Sequence, residues 1–133
     1  MANTFYLSIV APDGQIFGKD IEFVVVPGQE GELGILPNHA RLIAALKPGV
    51  VRYTENDKVF KIAISGGFIE VADNKAIILA NTAETADAID VERARKAKDR
   101  AEKRLQEKSP ELDVIRAEMA LKRAVARLQA VEK

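Results

Sequence analysis

The chain has 133 residues, 47% hydrophobic and 30% charged, with zero formal net charge and no cysteine. That balance supports a packed core, argues against disorder, and excludes a disulfide framework, a thiolate nucleophile and any cysteine-based metal site. No apolar run approaches the ~18 residues of a membrane span, and Met1–Thr4 lacks the basic flank of a signal peptide, so a soluble cytoplasmic protein is expected, with docking on a membrane complex left open.

Residues 4–82 read as short strands. Thr4–Val10 alternates, with Phe5, Leu7 and Ile9 on one face. Asp13-Gly14 signals a tight turn, and the β-branched run Ile21–Val26 ends at Pro27-Gly28. Leu42–Leu46, Val50–Thr54, Val59–Ser65, Phe68–Ala72 and Ala76–Ala80 follow as further strands, separated by Lys47-Pro48-Gly49, Glu55-Asn56-Asp57, Gly66-Gly67 and Asp73-Asn74. Gly66-Gly67 between apolar runs predicts a hairpin or a bulge rather than a phosphate loop, because no helix start follows it. Closely spaced strands with this punctuation predict a sandwich or barrel.

The texture changes near residue 83. From there on the chain has no glycine and is rich in Ala, Arg, Lys and Glu, all strong helix formers. Glu107-Lys108-Ser109-Pro110 is the one break, with Ser109 suited to cap and Pro110 to start a second helix. Helices are expected near 90–106 and 110–131, joined as an antiparallel hairpin. The predicted class is therefore β + α: an N-terminal antiparallel β-sandwich over 1–84, then a C-terminal antiparallel two-helix hairpin over 85–133. The helical stripes are thin: Val91, Ala94, Lys98, Ala101 and Leu105 on one helix; Val114, Ala117, Leu121, Ala124, Leu128 and Val131 on the other. Alanine buries little area, so the hairpin is expected to hold itself together weakly.

Charge divides with the texture. Residues 1–88 carry 7 Lys/Arg and 11 Asp/Glu, a balance of −4, and residues 89–133 carry 13 and 9, a balance of +4. A basic arm on an acidic body can fold back on it or reach for an acidic surface elsewhere. Catalysis has little material. His39 is the sole histidine and sits in a Gly/Pro loop, no serine or threonine has a base and an orienting partner nearby, and the carboxylates are scattered. Aromatic residues make up 5% with no tryptophan, which argues against nucleic-acid stacking. No catalytic or metal site is expected.

Three segments taken together resemble the epsilon subunit of F-type ATP synthases: Gly31-Glu32-Leu33-Gly34-Ile35-Leu36-Pro37-Asn38-His39, Ser65-Gly66-Gly67-Phe68-Ile69-Glu70-Val71, and Ile89-Asp90-Val91-Glu92-Arg93-Ala94. Their order, and the sandwich-then-hairpin layout, extend the resemblance over essentially the whole chain. It implies a non-catalytic central-stalk subunit at the cytoplasmic face of the cell membrane. The sandwich would dock on the gamma subunit and the rotor c-ring, with Glu32 and His39 in a rigid, mostly apolar loop toward the ring. The hairpin would be a mobile arm that inhibits ATP hydrolysis when extended toward the catalytic beta subunit, whose acidic segment Lys122, Arg123 and Arg127 would meet.

In some bacterial members of this family the pattern Ile/Leu-Asp-x-x-Arg-Ala belongs to an ATP site on the folded hairpin. Ile89, Asp90, Arg93 and Ala94 match it, and Glu84 precedes the helix where that site has a glutamate. Arg100 lies two turns beyond Arg93, and Arg123 and Arg127 are one turn apart, so folding would bring four guanidinium groups toward one pocket. Arginine's fork suits phosphate oxygens. Glu84 and Asp90 are then left for adenine or ribose donors, or for Mg2+ with the ATP. The ordinary alternative is a solvated face of Arg and Glu at helical spacing. No Gly-x-x-x-x-Gly-Lys-Ser/Thr loop occurs and nothing positions an attacking water, so binding without hydrolysis is expected. Two other readings of the chain are a free-standing nucleotide sensor and a static structural stalk piece.

Overall fold

The computed structural model describes residues 3–107 and 113–132. Eight strands come first: β1 (Phe5–Ala11), β2 (Gly14–Ile21), β3 (Phe23–Gly28), β4 (Gly31–Ile35), β5 (Leu42–Glu55), β6 (Lys58–Ala72), β7 (Lys75–Ala80) and β8 (Ala83–Thr85). A 3-10 turn, Ala86–Ala88, leads into α1 (Val91–Glu107) and then α2 (Val114–Val131).

The strands form one hydrogen-bonded path, β2-β1-β7-β6-β5-β3-β4, with β8 paired to β6. It doubles back on itself because β5 and β6 are long and serve both layers. The second half of β6 pairs with β7, which carries β1 and β2 beyond it. The first half of β6 pairs with β8, and the second half of β5 with β3, which carries β4. Phe5, Leu7, Ile9, Ile69 and Ile78 from the first layer meet Val24, Val26, Val51 and Ile62 from the second in one continuous core. Fully burying side chains of this size stabilises by about 1.5–3 kcal/mol each.

Several features depart from the sequence pattern. The sheet is mixed rather than antiparallel, because β1 runs parallel to β7, from Tyr6 opposite Lys75 to Val10 opposite Leu79. A parallel pair needs a long connection, and β2 to β6 supply it. Lys47-Pro48-Gly49 and Gly66-Gly67 do not separate strands. They lie opposite each other inside β5 and β6, whose pairing runs without a register change from Leu42–Val71 to Glu55–Lys58. They mark the corner where both strands pass between layers. Gly66-Gly67 is therefore neither a hairpin nor a slip in the β5–β6 register. Gly67 has φ +142°, and a Cβ there would run into the Leu79 carbonyl oxygen and Ala80 Cα. Pro27 lies within β3 at an irregularity in its pairing with β5, where a missing N–H costs nothing, and its ring presses on Gly49. β2, mostly exposed, has no clear alternation. Residues 31–35, read as loop, are β4; Gly31 has φ +134° at the β3–β4 turn, while Gly34 leaves room for the Phe23 ring. Asn56-Asp57 and Asp73-Asn74 are the expected tight turns, all four residues with φ between +51° and +64°.

The hairpin stacks outward from the sandwich. Arg104 and Glu107 at the end of α1 share a groove with Asp113 and Arg116 at the start of α2, so the helices are antiparallel. α2 packs on β5 and β6. The expected Ser109–Pro110 helix start lies outside the described residues. Asp113 caps α2, its carboxylate accepting from the Arg116 N–H at 2.9 Å. Helix residues buried in the arm are all alanines: Ala94 and Ala101 on α1, and Ala117, Ala124, Ala126 and Ala130 on α2. Val114, expected on the inner stripe, is 49% exposed.

Gly67→Ala is expected to destabilise the chain by about 3 kcal/mol or more, since the new methyl meets backbone rather than a side chain that can turn away. Urea unfolding monitored by far-ultraviolet circular dichroism measures it; an unchanged midpoint would contradict the corner geometry.

Candidate functional site

The strand-to-helix passage assembles the site. Glu84 sits on β8, held opposite Ala63 of β6. The 3-10 turn then drops Ile89 into a small apolar cluster with Ala63 and Ala130, flanked by Val50 and Val131. Asp90 follows as the cap of α1. Its carboxylate accepts from the Arg93 N–H at 3.1 Å and its carbonyl from the Ala94 N–H at 3.0 Å. Ala94 is buried. Three of the four matching motif residues thus have a local structural duty, and the exposed Arg93 side chain has none.

Glu84, Asp90, Arg93 and Arg100 line one cleft of about 360 Å³, and Arg127 closes it from α2. That volume is at the low end of the ~300–1,000 Å³ of small-molecule sites. Glu84 and Arg127 already touch: the Arg127 Nε–H donates to Glu84 Oε1 at 2.7 Å, tying α2 to the sandwich. Among the described residues, no carboxylate lies within ion-pair distance of Arg93 or Arg100. The cleft therefore offers two guanidinium groups to an anion, and a third that can be shared with Glu84. No group of three His, Cys, Asp or Glu suited to a metal occurs among the described residues.

The other two expected ligand residues lie elsewhere. Ile89 is buried beneath the cleft rather than lining it. Arg123 faces the neighbouring inter-helical groove of about 550 Å³, where Arg100 also contributes, so Arg100 bridges the two concavities. The fourth guanidinium is thus one groove away from the other three.

Among the expected docking residues, Glu32 on β4 accepts an ion pair from Arg52 at 2.6 Å. His39 follows β4 in the short connection to β5, with its N–H donating to the Leu36 carbonyl at 3.2 Å. Its ring Nδ1 lies 2.7 Å from the Ala40 carbonyl, which can only accept, so Nδ1 carries the proton. Lys122 is exposed on α2, whereas Arg123 and Arg127 are half-buried against the rest of the molecule.

Lys61 has no signal in the sequence. From β6 its ammonium donates to the carbonyls of Glu132 at 3.1 Å and Gln129 at 3.5 Å, meeting the negative dipole end of α2. α2 thus rests on the sandwich through alanines, Val131, a Glu84–Arg127 pair and one lysine. The face it covers is that of Val50, Lys61 and Ala63. On the opposite layer, Phe68 and Leu79 are cross-strand neighbours, 56% and 55% exposed, with Ile43 nearby at 74%.

Two family models match. The beta-sandwich domain of the ATP synthase delta/epsilon chain matches residues 4–86, and the long alpha-helix domain of the same chain matches residues 87–132. The chain is 58% identical over 130 residues to the ATP synthase epsilon chain of Desulfitobacterium hafniense, covering 98% of each. It is 54% identical over 132 residues to that of Desulforamulus reducens, covering 99% of this chain and 100% of the other. A chain in the cryo-EM structure of the Euglena gracilis mitochondrial ATP synthase OSCP/F1/c-ring assembly superposes with a TM-score of 0.81 at 28% identity, over 96% of this chain and 80% of that one.

Lys61→Ala is expected to raise amide hydrogen exchange in the last two turns of α2 by about two- to fivefold while leaving β1 and β7 unchanged. Equal exchange in α2 would mean that the lysine holds nothing.

Proposed function

The chain belongs to the delta/epsilon chain family of ATP synthase, and we propose that it is a non-catalytic central-stalk subunit whose helical arm binds ATP when folded and restrains ATP hydrolysis when extended. It would take part in ion-driven ATP synthesis by joining the gamma subunit to the rotor c-ring, at the cytoplasmic face of the membrane. In this reading residues 1–84 are the docking unit and residues 85–133 the regulatory one.

The observation that carries the reading is the composition of the cleft. Arg93 and Arg100 come from α1, Arg127 from α2 and Glu84 from the sandwich, so the pocket exists only when all three pieces are together. A ligand held there stabilises the closed arm by RT ln(1 + [L]/Kd), about 2.7 kcal/mol at a hundredfold excess over Kd. Against a contact whose buried helix side chains are alanines, that shifts the balance substantially. Guanidinium groups suit the phosphates, and Glu84 and Asp90 suit hydroxyl or amine donors. A magnesium ion would be held by phosphate oxygens and water, since no carboxylate cluster occurs among the described residues. With ATP scarce, Lys122, Arg123 and Arg127 would be free to meet an acidic segment of the catalytic beta subunit. Arg123 and Arg127 become fully accessible only after opening, which supports a choice between the two partners.

For the sandwich, the uncovered layer bearing Phe68, Leu79 and Ile43 suits gamma, and the end bearing Glu32 and His39 suits the ring. A static arm is the competing reading, favoured by the Glu84–Arg127 pair and the Lys61 contacts, which close the arm without a ligand. A free-standing nucleotide sensor gains no support from matches that run the length of ATP synthase epsilon chains.

Isothermal calorimetry of the isolated chain with ATP tests the arm. Binding should be detected, and Arg93→Ala or Arg127→Ala should each weaken it about tenfold or more, with Arg123→Ala weakening it less. The absence of binding, or binding indifferent to Arg93 and Arg127, would leave the static arm.

A further inference from the structure

One turn residue links three parts of the chain. Asn74 is the second residue of the β6–β7 turn, with φ +61°. Its side-chain oxygen accepts from the Asn38 N–H at 2.8 Å, and its side-chain nitrogen donates to the Thr4 carbonyl at 3.0 Å. The two contacts need opposite polarity, which fixes the orientation of the amide. Its own carbonyl accepts from the Tyr6 N–H at 3.3 Å. The turn is therefore pinned to the start of β1, and the connection between β4 and β5 is pinned to the turn.

That connection has little else to hold it. Residues 36–41 have no ladder partner, Leu36 is 59% exposed, and Asn38 has φ +63°. Their backbone contacts are two local ones, from His39 N–H to the Leu36 carbonyl and from the His39 ring to the Ala40 carbonyl, and one to the rest of the molecule, which Asn74 receives from Asn38. We infer that Asn74 is a positioning residue for the ring-facing surface: its side-chain oxygen fixes the backbone at Asn38 and so the directions in which Leu36 and His39 project. The inference rests on the reading of this end of the sandwich as the docking surface for the rotor ring. Preorganising a loop improves affinity by removing the entropy cost of ordering it on binding. It also means that the turn between β6 and β7 tunes an interface that it need not touch.

Glycine is the informative replacement, because Asn74→Gly removes both side-chain bonds while suiting the left-handed backbone. Asn74→Asp keeps the acceptor for Asn38 and loses the donor to Thr4. The full-length chain, fluorescently labelled, is titrated onto ATP synthase membranes stripped of this subunit. Asn74→Gly should weaken binding about tenfold with a thermal midpoint within a few degrees of the parent, and should speed exchange of the Asn38 amide. Asn74→Asp should bind within about twofold of the parent, because the bond to Asn38 survives. If Asn74→Gly binds as tightly as the parent while Glu32→Ala and His39→Ala weaken binding, the positioning role is overturned and the docking surface stands. If Glu32→Ala, His39→Ala and Leu36→Asp all bind like the parent, the docking surface itself is wrong and the role of Asn74 falls with it. A weakened Asn74→Gly with a collapsed thermal midpoint, accompanied by an equally weak Asn74→Asp, would reduce Asn74 to a fold-holding residue and also overturn the proposal.

Discussion

The fully buried side chains that α2 sets against its two neighbours are alanines, and each removes a single carbon from water. At about 0.8 kcal/mol per buried carbon, such a surface stabilises weakly compared with the isoleucines and valines inside the sandwich. Small side chains also let the helix axis come close to the sheet, which puts polar groups at the rim within reach of one another. Arg127 can then meet Glu84, and Lys61 can reach the last carbonyls of α2. An exposed or half-exposed ion pair is worth about 1 kcal/mol or less. The closed arm is thus the sum of several small terms, and a single bound anion is comparable to any of them.

The same few residues build the strand-to-helix passage and the cleft. Ile89 anchors the passage from sandwich to helix, Asp90 caps α1, and Ala94 lets α2 approach. Only Arg93 lacks a local duty. A motif that reads as a ligand signature is therefore, to a large extent, the instruction for where α1 starts and how closely it is held. Substituting Asp90 would affect both the helix start and any ligand, whereas substituting Arg93 separates them.

Much of this was legible in the chain. Phe5, Leu7 and Ile9 alternate into the core, the Asn and Asp turns fall where their composition says, and the change of texture near residue 83 gives way to two helices. The failures share a cause: they depend on what lies across from a residue. Lys47-Pro48-Gly49 looks like a loop until it is set against Gly66-Gly67 at a shared corner. The run Ile62-Ala63-Ile64 does not alternate because α2 covers its outer face. The parallel pairing of β1 with β7 joins segments nearly seventy residues apart. In the site, periodicity placed Arg93, Arg100 and Arg127 together but could not show that Arg123, one turn from Arg127, points into the next groove. Lys61 belongs to no pattern, and Asn74 reads as a turn residue whose side-chain partners, Asn38 and Thr4, lie far away in sequence.

The unbroken passage of β5 and β6 through the corner has a mechanical meaning. Two sheets that touch only through side chains can slide over one another, whereas here any sliding would have to stretch covalent backbone and shear a ladder of hydrogen bonds along its whole length. A twisting load applied at the Leu36–His39 end would be carried as tension along these two strands into both layers at once. The sandwich is in that sense stiff against shear between its layers.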